Sequence, residues 1–291
     1  MHSSAIILNP SSHREAVDYF KHHFSLGKGL SETDLLEEIL SYFSQFPYEN
    51  ISKIIKYQKH FDGPVKIRLP YEVMDNHVSH RLGGTCFSLT FFLQTILIDF
   101  GFACYPVMAD MRWGKRVHCA LLVIMNRKKY LVDPGYLLNQ PLEISKDQNR
   151  LYKTPFSGVE VDFRQEGETY ELFTFDQTER KWRYRFQDKP VSDKDFLTYW
   201  LDSFSWNSMH GLCLTKIEKS RMIYIHKTFM RETDFERKKN VNIKDHYHAT
   251  ISQIFGIDSQ LVEEALAAIE SNMAREREMG IWVPNKEWRP M

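Results

Sequence analysis

A length of 291 residues allows a large core and suggests two or three packed subdomains. Lysine plus arginine equals aspartate plus glutamate at 38 each, a balance that argues against a nucleic-acid or acidic-surface partner. Cys86, Cys104, Cys119 and Cys213, separated by 18, 15 and 94 residues and without Cys-x-x-Cys, fit neither a zinc site nor a disulfide framework; they read as the reduced thiols of a cytoplasmic protein.

The apolar run Ala5–Leu8 is too short, and lacks the basic flank, for a signal peptide. No stretch approaches the roughly 20 apolar residues of a membrane span, so no membrane partner is expected. A short helix is predicted over residues 11–24, with Val17, Phe20 and Phe24 on one face. Ser31 with Asp34 three residues on has the form of a capping box, and Leu35, Leu36, Ile39, Leu40 and Phe43 mark the face of a second helix that ends before Pro47. Glu49 then sits among apolar and aromatic residues, where a buried carboxylate needs a partner; the plainer alternative is a solvated surface glutamate.

Gly83 and Gly84 lead into about four turns of helix ending at Phe100-Gly101, and its only ionisable side chains are Cys86 and Asp99. Both faces of that helix are therefore expected to be covered by protein. Cys86 falls at its N-terminus, where unpaired N–H groups and the dipole favour a thiolate, so it is a candidate nucleophile. Its plain alternative is a small buried hydrophobe.

His118–Met125 reads as a strand, Asn126-Arg127 as a turn, and Lys128–Asp133 as the partner strand. With that two-residue loop, Asp133 lies opposite Ala120 and His118 becomes its diagonal neighbour, within side-chain reach. Cysteine, histidine and aspartate form the set in which imidazole takes a thiol proton and carboxylate orients the imidazole. Singly, His118 could be a core histidine and Asp133 a turn former before Pro134-Gly135. The preceding segment, residues 110–117, combines Trp113, Gly114 and three cations, as a substrate-binding or lid loop, or a polar hairpin, would. Tyr136 is a second candidate wall of the substrate pocket.

Further on, Val159–Phe163 and Lys181–Phe186 alternate as half-buried antiparallel strands of a small barrel or sandwich, with Arg183 and Arg185 assigned to its solvent face. Residues 192–204 form a helix with Phe196, Tyr199, Trp200 and Phe204 inward. Met222–His226 is strand-like, residues 231–244 carry eight ionisable side chains of mixed sign, and His246-Tyr247-His248 reads as a loop or helix start rather than a metal site. Leu261, Val262, Ala265, Leu266 and Ile269 define a closing helix, after which Trp282 and Trp288 could fold back over the body.

The glycine pair, Cys86 after one residue, a buried helix ending in Gly-Phe, a histidine opening an apolar strand and Tyr130-Leu131-Val132-Asp133-Pro134-Gly135 together resemble the arylamine N-acetyltransferases. Phe46-Pro47-Tyr48-Glu49-Asn50 is similar to that family's Pro-Phe-Glu-Asn motif, and Ile254-Phe255-Gly256-Ile257 to its C-terminal helix region. The resemblance implies an α+β fold of the cysteine-protease and transglutaminase type: a helical bundle over 1–102, a β-barrel over 103–205 and an α/β lid over 206–291. It implies Cys86, His118 and Asp133 as a catalytic triad, with Thr85, Trp113 and Tyr136 toward substrate. Glu49 paired with Arg81, together with Gly83 and Gly84, would brace the cysteine loop.

No metal or tightly bound cofactor follows from the resemblance; the co-substrate is acetyl-CoA and the acceptor a small-molecule amine, in a ping-pong cycle through a Cys86 thioester. Departures occur at Leu82, where the family has arginine, at Ser88 and Thr90, where it has Glu or Gln and then Asn, and at Leu137, where a glycine is lost. They keep open a transglutaminase-like enzyme, an amide synthase or thiol hydrolase on a carrier-bound chain, and a non-catalytic scaffold.

Overall fold

Helical spacing governs the chain up to Gly101. The computed structural model describes residues 7–27, 29–154, 156–281 and 283. In it, α1 (Arg14–Phe24), α2 (Glu32–Phe43), α3 (Ile51–Lys59), α4 (Pro70–His80) and α5 (Cys86–Asp99) follow one another, with only the two-residue strand β1 (Tyr48–Glu49) between α2 and α3. Ser31 caps α2 by accepting a hydrogen bond from the Asp34 amide at 3.2 Å. Val17, Phe20 and Phe24 of α1 and Leu36, Ile39, Leu40 and Phe43 of α2 pack with Leu89, Phe92, Leu93 and Ile96 of α5 in one apolar cluster. Phe87 and Phe91 on another side of α5 join a second cluster containing Phe196 and Trp200, which is why this helix has no polar face.

After Gly101 the period changes to two. Strands β2 (Ala103–Met111), β3 (Gly114–Met125), β4 (Lys128–Val132), β5 (Leu142–Ile144), β6 (Arg150–Lys153), β7 (Gly158–Arg164), β8 (Thr169–Phe175) and β9 (Arg180–Gln187) form one antiparallel sheet in the order β5-β4-β3-β2-β9-β8-β7-β6. Its two edges meet where Arg150 Nη2 lies 2.7 Å from Glu143 Oε1 and the Tyr152 hydroxyl donates to the Glu143 carbonyl at 3.0 Å. The result is a nearly closed barrel, not a sandwich, and the fold class is α+β.

One expectation in this sheet fails. The pairing slips between Leu172, opposite Tyr184, and Phe173, opposite Trp182, so Arg183 is an extra residue in β9. Strict alternation would put Arg183 and Arg185 on one solvent face; the bulge takes Arg183 out of that alternation, and it lines the interior cavity while Arg185 stays exposed.

Helix α6 (Asp193–Asp202) leads to a second antiparallel sheet of β10 (Cys213–Glu218), β11 (Arg221–His226), β12 (Phe229–Thr233) and β13 (Lys238–Asn242), in the order β1-β10-β11-β12-β13. The charged run 231–244 thus supplies two strands, with Lys239 exposed while Arg231 and Lys238 line the cavity that also holds Cys86. Helices α7 (Tyr247–Phe255) and α8 (Ser259–Glu278) close the fold, His246-Tyr247 forms a helix start, and α8 packs along α3. Among the described residues no helix is long and apolar enough to cross a membrane. Trp282 and Trp288 lie outside the described residues.

Candidate active site

Cys86 is the first residue of α5, buried at 6% exposure. The loop before it is pressed against Pro47: a Cβ on Gly83 would fall 1.9 Å from the Pro47 carbonyl oxygen, so no side chain fits there. The Glu49 amide donates to the Gly84 carbonyl at 2.9 Å, and the Gly84 amide to Pro47 at 3.3 Å.

Glu49 is fully buried, which overturns the solvated alternative, and its ionic partner is Arg68, with Nη1 3.5 Å from Oε1. The same Nη1 donates to the Gly83 carbonyl at 2.6 Å. Arg81, expected in this role, is exposed and ends α4 in a left-handed conformation at φ 58°, and its ion pair with Glu49 does not form. Arg68, two residues before α4 and far from the glycine pair in sequence, carried no local signal of its part here.

His118 and Asp133 come from neighbouring strands. Asn126 and Arg127 make a two-residue turn, both at positive φ (51° and 61°), and Met125 opposite Lys128 through Leu121 opposite Val132 set the register. One more step brings Asp133 opposite Ala120. His118 Nε2 lies 2.7 Å from Asp133 Oδ2 in a buried pair. Asp133 Oδ1 accepts from the Tyr136 amide at 2.9 Å, and Oδ2 also accepts from the Tyr184 hydroxyl at 2.6 Å. Tyr184 was readable only as an inward position of β9; its partner is set by barrel closure.

With Nε2 turned to Asp133, Nδ1 is the ring nitrogen left for Cys86. Gly135 wedges beside both residues: a Cβ on it would lie 2.9 Å from Cys86 Cβ and 2.9 Å from His118 Cε1. Hydrogen bonds from the Cys119 thiol and then from His118 outweigh burial and hold the Cys86 thiol well below its ordinary range. Burial opposes the His118 imidazolium, yet the charge and hydrogen bond of Asp133, with Cys86, raise its pKa to about 10. The arrangement favours a thiolate facing an imidazolium at neutral pH.

These groups open onto a cavity of about 1150 Å³, which Thr85, Trp113 and Tyr136 also line. Trp113 sits in the β2–β3 turn, 58% exposed, with its ring edge-on to Trp206 at 5.2 Å, so the segment 110–117 is both a hairpin and a cavity rim. Tyr136 stands 5.7 Å from the His118 ring. Leu137, where a glycine was lost, holds φ 53°, a left-handed conformation that costs a side chain about 1–2 kcal/mol. Ser88 and Thr90 bond to backbone, Ser88 Oγ to the Thr85 carbonyl at 3.1 Å and Thr90 Oγ1 to the Cys119 carbonyl at 3.3 Å. Among the described residues no cluster of three His, Cys, Asp or Glu could hold a metal ion.

A family model described as N-acetyltransferase matches residues 33–264. No curated protein sequence matches significantly. Among solved structures, the fold is similar to the arylamine N-acetyltransferase from Mycobacterium abscessus, with a TM-score of 0.74 at 16% identity over 92% of this chain and 99% of that one. It is similar to the Salmonella typhimurium arylamine N-acetyltransferase at a TM-score of 0.68 and 17% identity, covering 87% and 98% of the two chains. The Mycobacterium marinum enzyme in complex with CoA matches at a TM-score of 0.71 and 15% identity, covering 87% and 98%.

Proposed function

The chain belongs to the arylamine N-acetyltransferase family, and we propose that it moves an acetyl group from acetyl-CoA to an arylamine, hydrazine or similar small amine through a thioester on Cys86. The observation that carries this reading is the buried 2.7 Å contact of His118 with Asp133, set beside Cys86 at the wall of the cavity. CoA as the acyl carrier is supported by the M. marinum complex of the same fold.

The Cys86 thiolate attacks the acetyl carbonyl carbon, the C–S bond to CoA breaks, and the departing sulfur takes the proton held on His118 Nδ1. In the second half-reaction the amine nitrogen attacks the thioester, its proton passes to His118, and Cys86 leaves as the thiolate that began the cycle. Asp133 keeps the imidazole turned and stabilises its charged form. Backbone N–H groups at the start of α5 would stabilise the developing oxyanion. Trp113 and Tyr136 supply flat apolar walls for an aromatic acceptor, and Thr85 flanks the nucleophile. The free state of all four cysteines supports a reducing, cytoplasmic location.

Intact-protein mass after mixing with acetyl-CoA alone, for the parent and Cys86→Ala, tests the reading. The expected result is one acetyl adduct on the parent only, removed by adding an arylamine. A hyper-reactive Cys86 that takes no acetyl group would redirect the assignment to another acyl donor or to hydrolysis. An inert Cys86 would leave a non-catalytic scaffold.

A further inference from the structure

Lys53 is the third residue of α3 and is 6% exposed, yet it lines the same cavity as Cys86. Its ammonium donates to the Ser203 carbonyl at 2.9 Å and to Ser203 Oγ at 2.6 Å, and lies 4.5 Å from the centre of the Phe204 ring. An ammonium has three N–H donors, so one remains. Among the described residues no carboxylate lies within ion-pair distance of it. Lys66 adds a second cation over the same Phe204 ring, at 5.3 Å.

A buried cation without an anion is costly, and proteins keep one only where something compensates. Burial pushes the Lys53 pKa down to about 7, against the opposing pull of the Cys86 thiolate. Among the described residues that thiolate is the one negative charge that raises it, and on the reading proposed above, on which this inference rests, acylation removes that charge. During the second half-reaction Lys53 would then face no anion unless the substrate brings one.

We propose that the Lys53 ammonium is a specificity-determining group that binds a carboxylate of the substrate in the cavity beside Cys86. The carboxylate can be carried by the acyl group or by the amine. Either source places a negative charge where Cys86 has lost its own, in the cavity that Lys53 lines.

Binding to full-length Cys86→Ala protein separates this from the transfer chemistry. Calorimetry would compare malonyl-CoA with acetyl-CoA, and 4-aminobenzoate with 4-methylaniline. At least one carboxylated member is expected to bind tenfold or more tightly than its neutral counterpart; the pair that shows the gap identifies the source. The gap should shrink below about twofold with Lys53→Met, and equally with Lys53→Gln, which keeps a polar end for Ser203 should Met not fold.

Equal binding within both pairs, or a gap that survives loss of the charge, would overturn the assignment. So would a melting temperature that collapses in both variants, since that marks Lys53 as a tie to the 203–209 segment. Failure of the parent to acetylate a neutral amine would count against the transfer reading and leave these binding ratios to decide the role of Lys53.

Discussion

Tyr184 donates its hydroxyl to Asp133 Oδ2 at 2.6 Å, the same oxygen that lies 2.7 Å from His118 Nε2. The carboxylate is fully buried, so these contacts and the Tyr136 amide replace water for it. Burial also drives the Tyr184 hydroxyl well above its ordinary pKa, so it stays a donor throughout the working range. A hydrogen bond to a charged group is worth about 1.5–3 kcal/mol. Tyr184→Phe is therefore expected to slow acetylation of Cys86 by about tenfold or more, at 1.36 kcal/mol per factor of ten. Stopped-flow release of CoA checks this; an unchanged rate would reduce Tyr184 to a packing residue.

Gly135→Ala tests the wedge between Cys86 and His118. Its Cβ would sit 2.9 Å from Cys86 Cβ and from His118 Cε1, so one of the two must move. Displacements of about 1 Å in a reacting pair can cost on the order of a hundredfold in rate. The expected outcome is a loss of that size in acetyl transfer with near-parent circular dichroism. Parent-like turnover would mean that the two groups tolerate separation.

The Glu49–Arg68 pair predicts a stability effect instead. Arg68→Met leaves the Glu49 carboxylate buried without its cation and releases the Gly83 carbonyl. Breaking one side of a buried pair costs about 3–5 kcal/mol. Urea unfolding should show a loss of that order, whereas Arg81→Met should sit within about 0.5 kcal/mol of the parent. A reversed ranking would restore Arg81 to the bracing role.

The thiolate–imidazolium pair sets the pH profile. Iodoacetamide modification of Cys86 is expected to persist below neutral pH, and His118→Ala should return it toward the ordinary thiol range. Stability follows by linkage. Between about pH 6.5 and 9, the ordinary values of the two groups, folding moves a proton from thiol to imidazole without net uptake, so this pair leaves stability flat. Above that window the unfolded thiol has lost its proton while folded His118 keeps one, and the pair's contribution falls as pH rises toward about 10. Below it the unfolded histidine gains a proton that the folded pair resists, so the contribution falls with acid. Melting temperatures across pH 5–10, parent against His118→Ala, check the shape; a steady slope from 6.5 to 9 absent from the variant would exclude the pair.

What the sequence made legible depended on range. His118 and Asp133 could be placed together because a two-residue turn links their strands, and Asn126-Arg127 supplies it with both residues in the left-handed region. The Ser31 cap and the buried run from Cys86 are equally local. Arg68 reaches Glu49 across α3, and its spacing from the glycines carries no period that a pattern search would catch. Arg183 needed the bulge opposite Leu172, which alternation alone conceals. Lys53 followed Ile51-Ser52 in an amphipathic helix, where a lysine ordinarily marks the wet side; only the packing of Ser203 and Phe204 over it reverses that.

Asn50, one residue from Glu49, donates through Nδ2 to the Ser208 and Gly211 carbonyls at 2.8 Å and accepts from the Cys213 amide at 2.8 Å. Tyr48 and Glu49 pair with Thr215 and Leu214, and Tyr48 bridges to Gly84. The contacts with residues 208–215 span some 160 residues, and bringing their ends together closes a long loop. A ribosome that has made only the helices and the barrel has therefore produced Cys86 without the strand that steadies its loop. The loop before Cys86 thus gains the support of the second sheet only once the chain has passed residue 215.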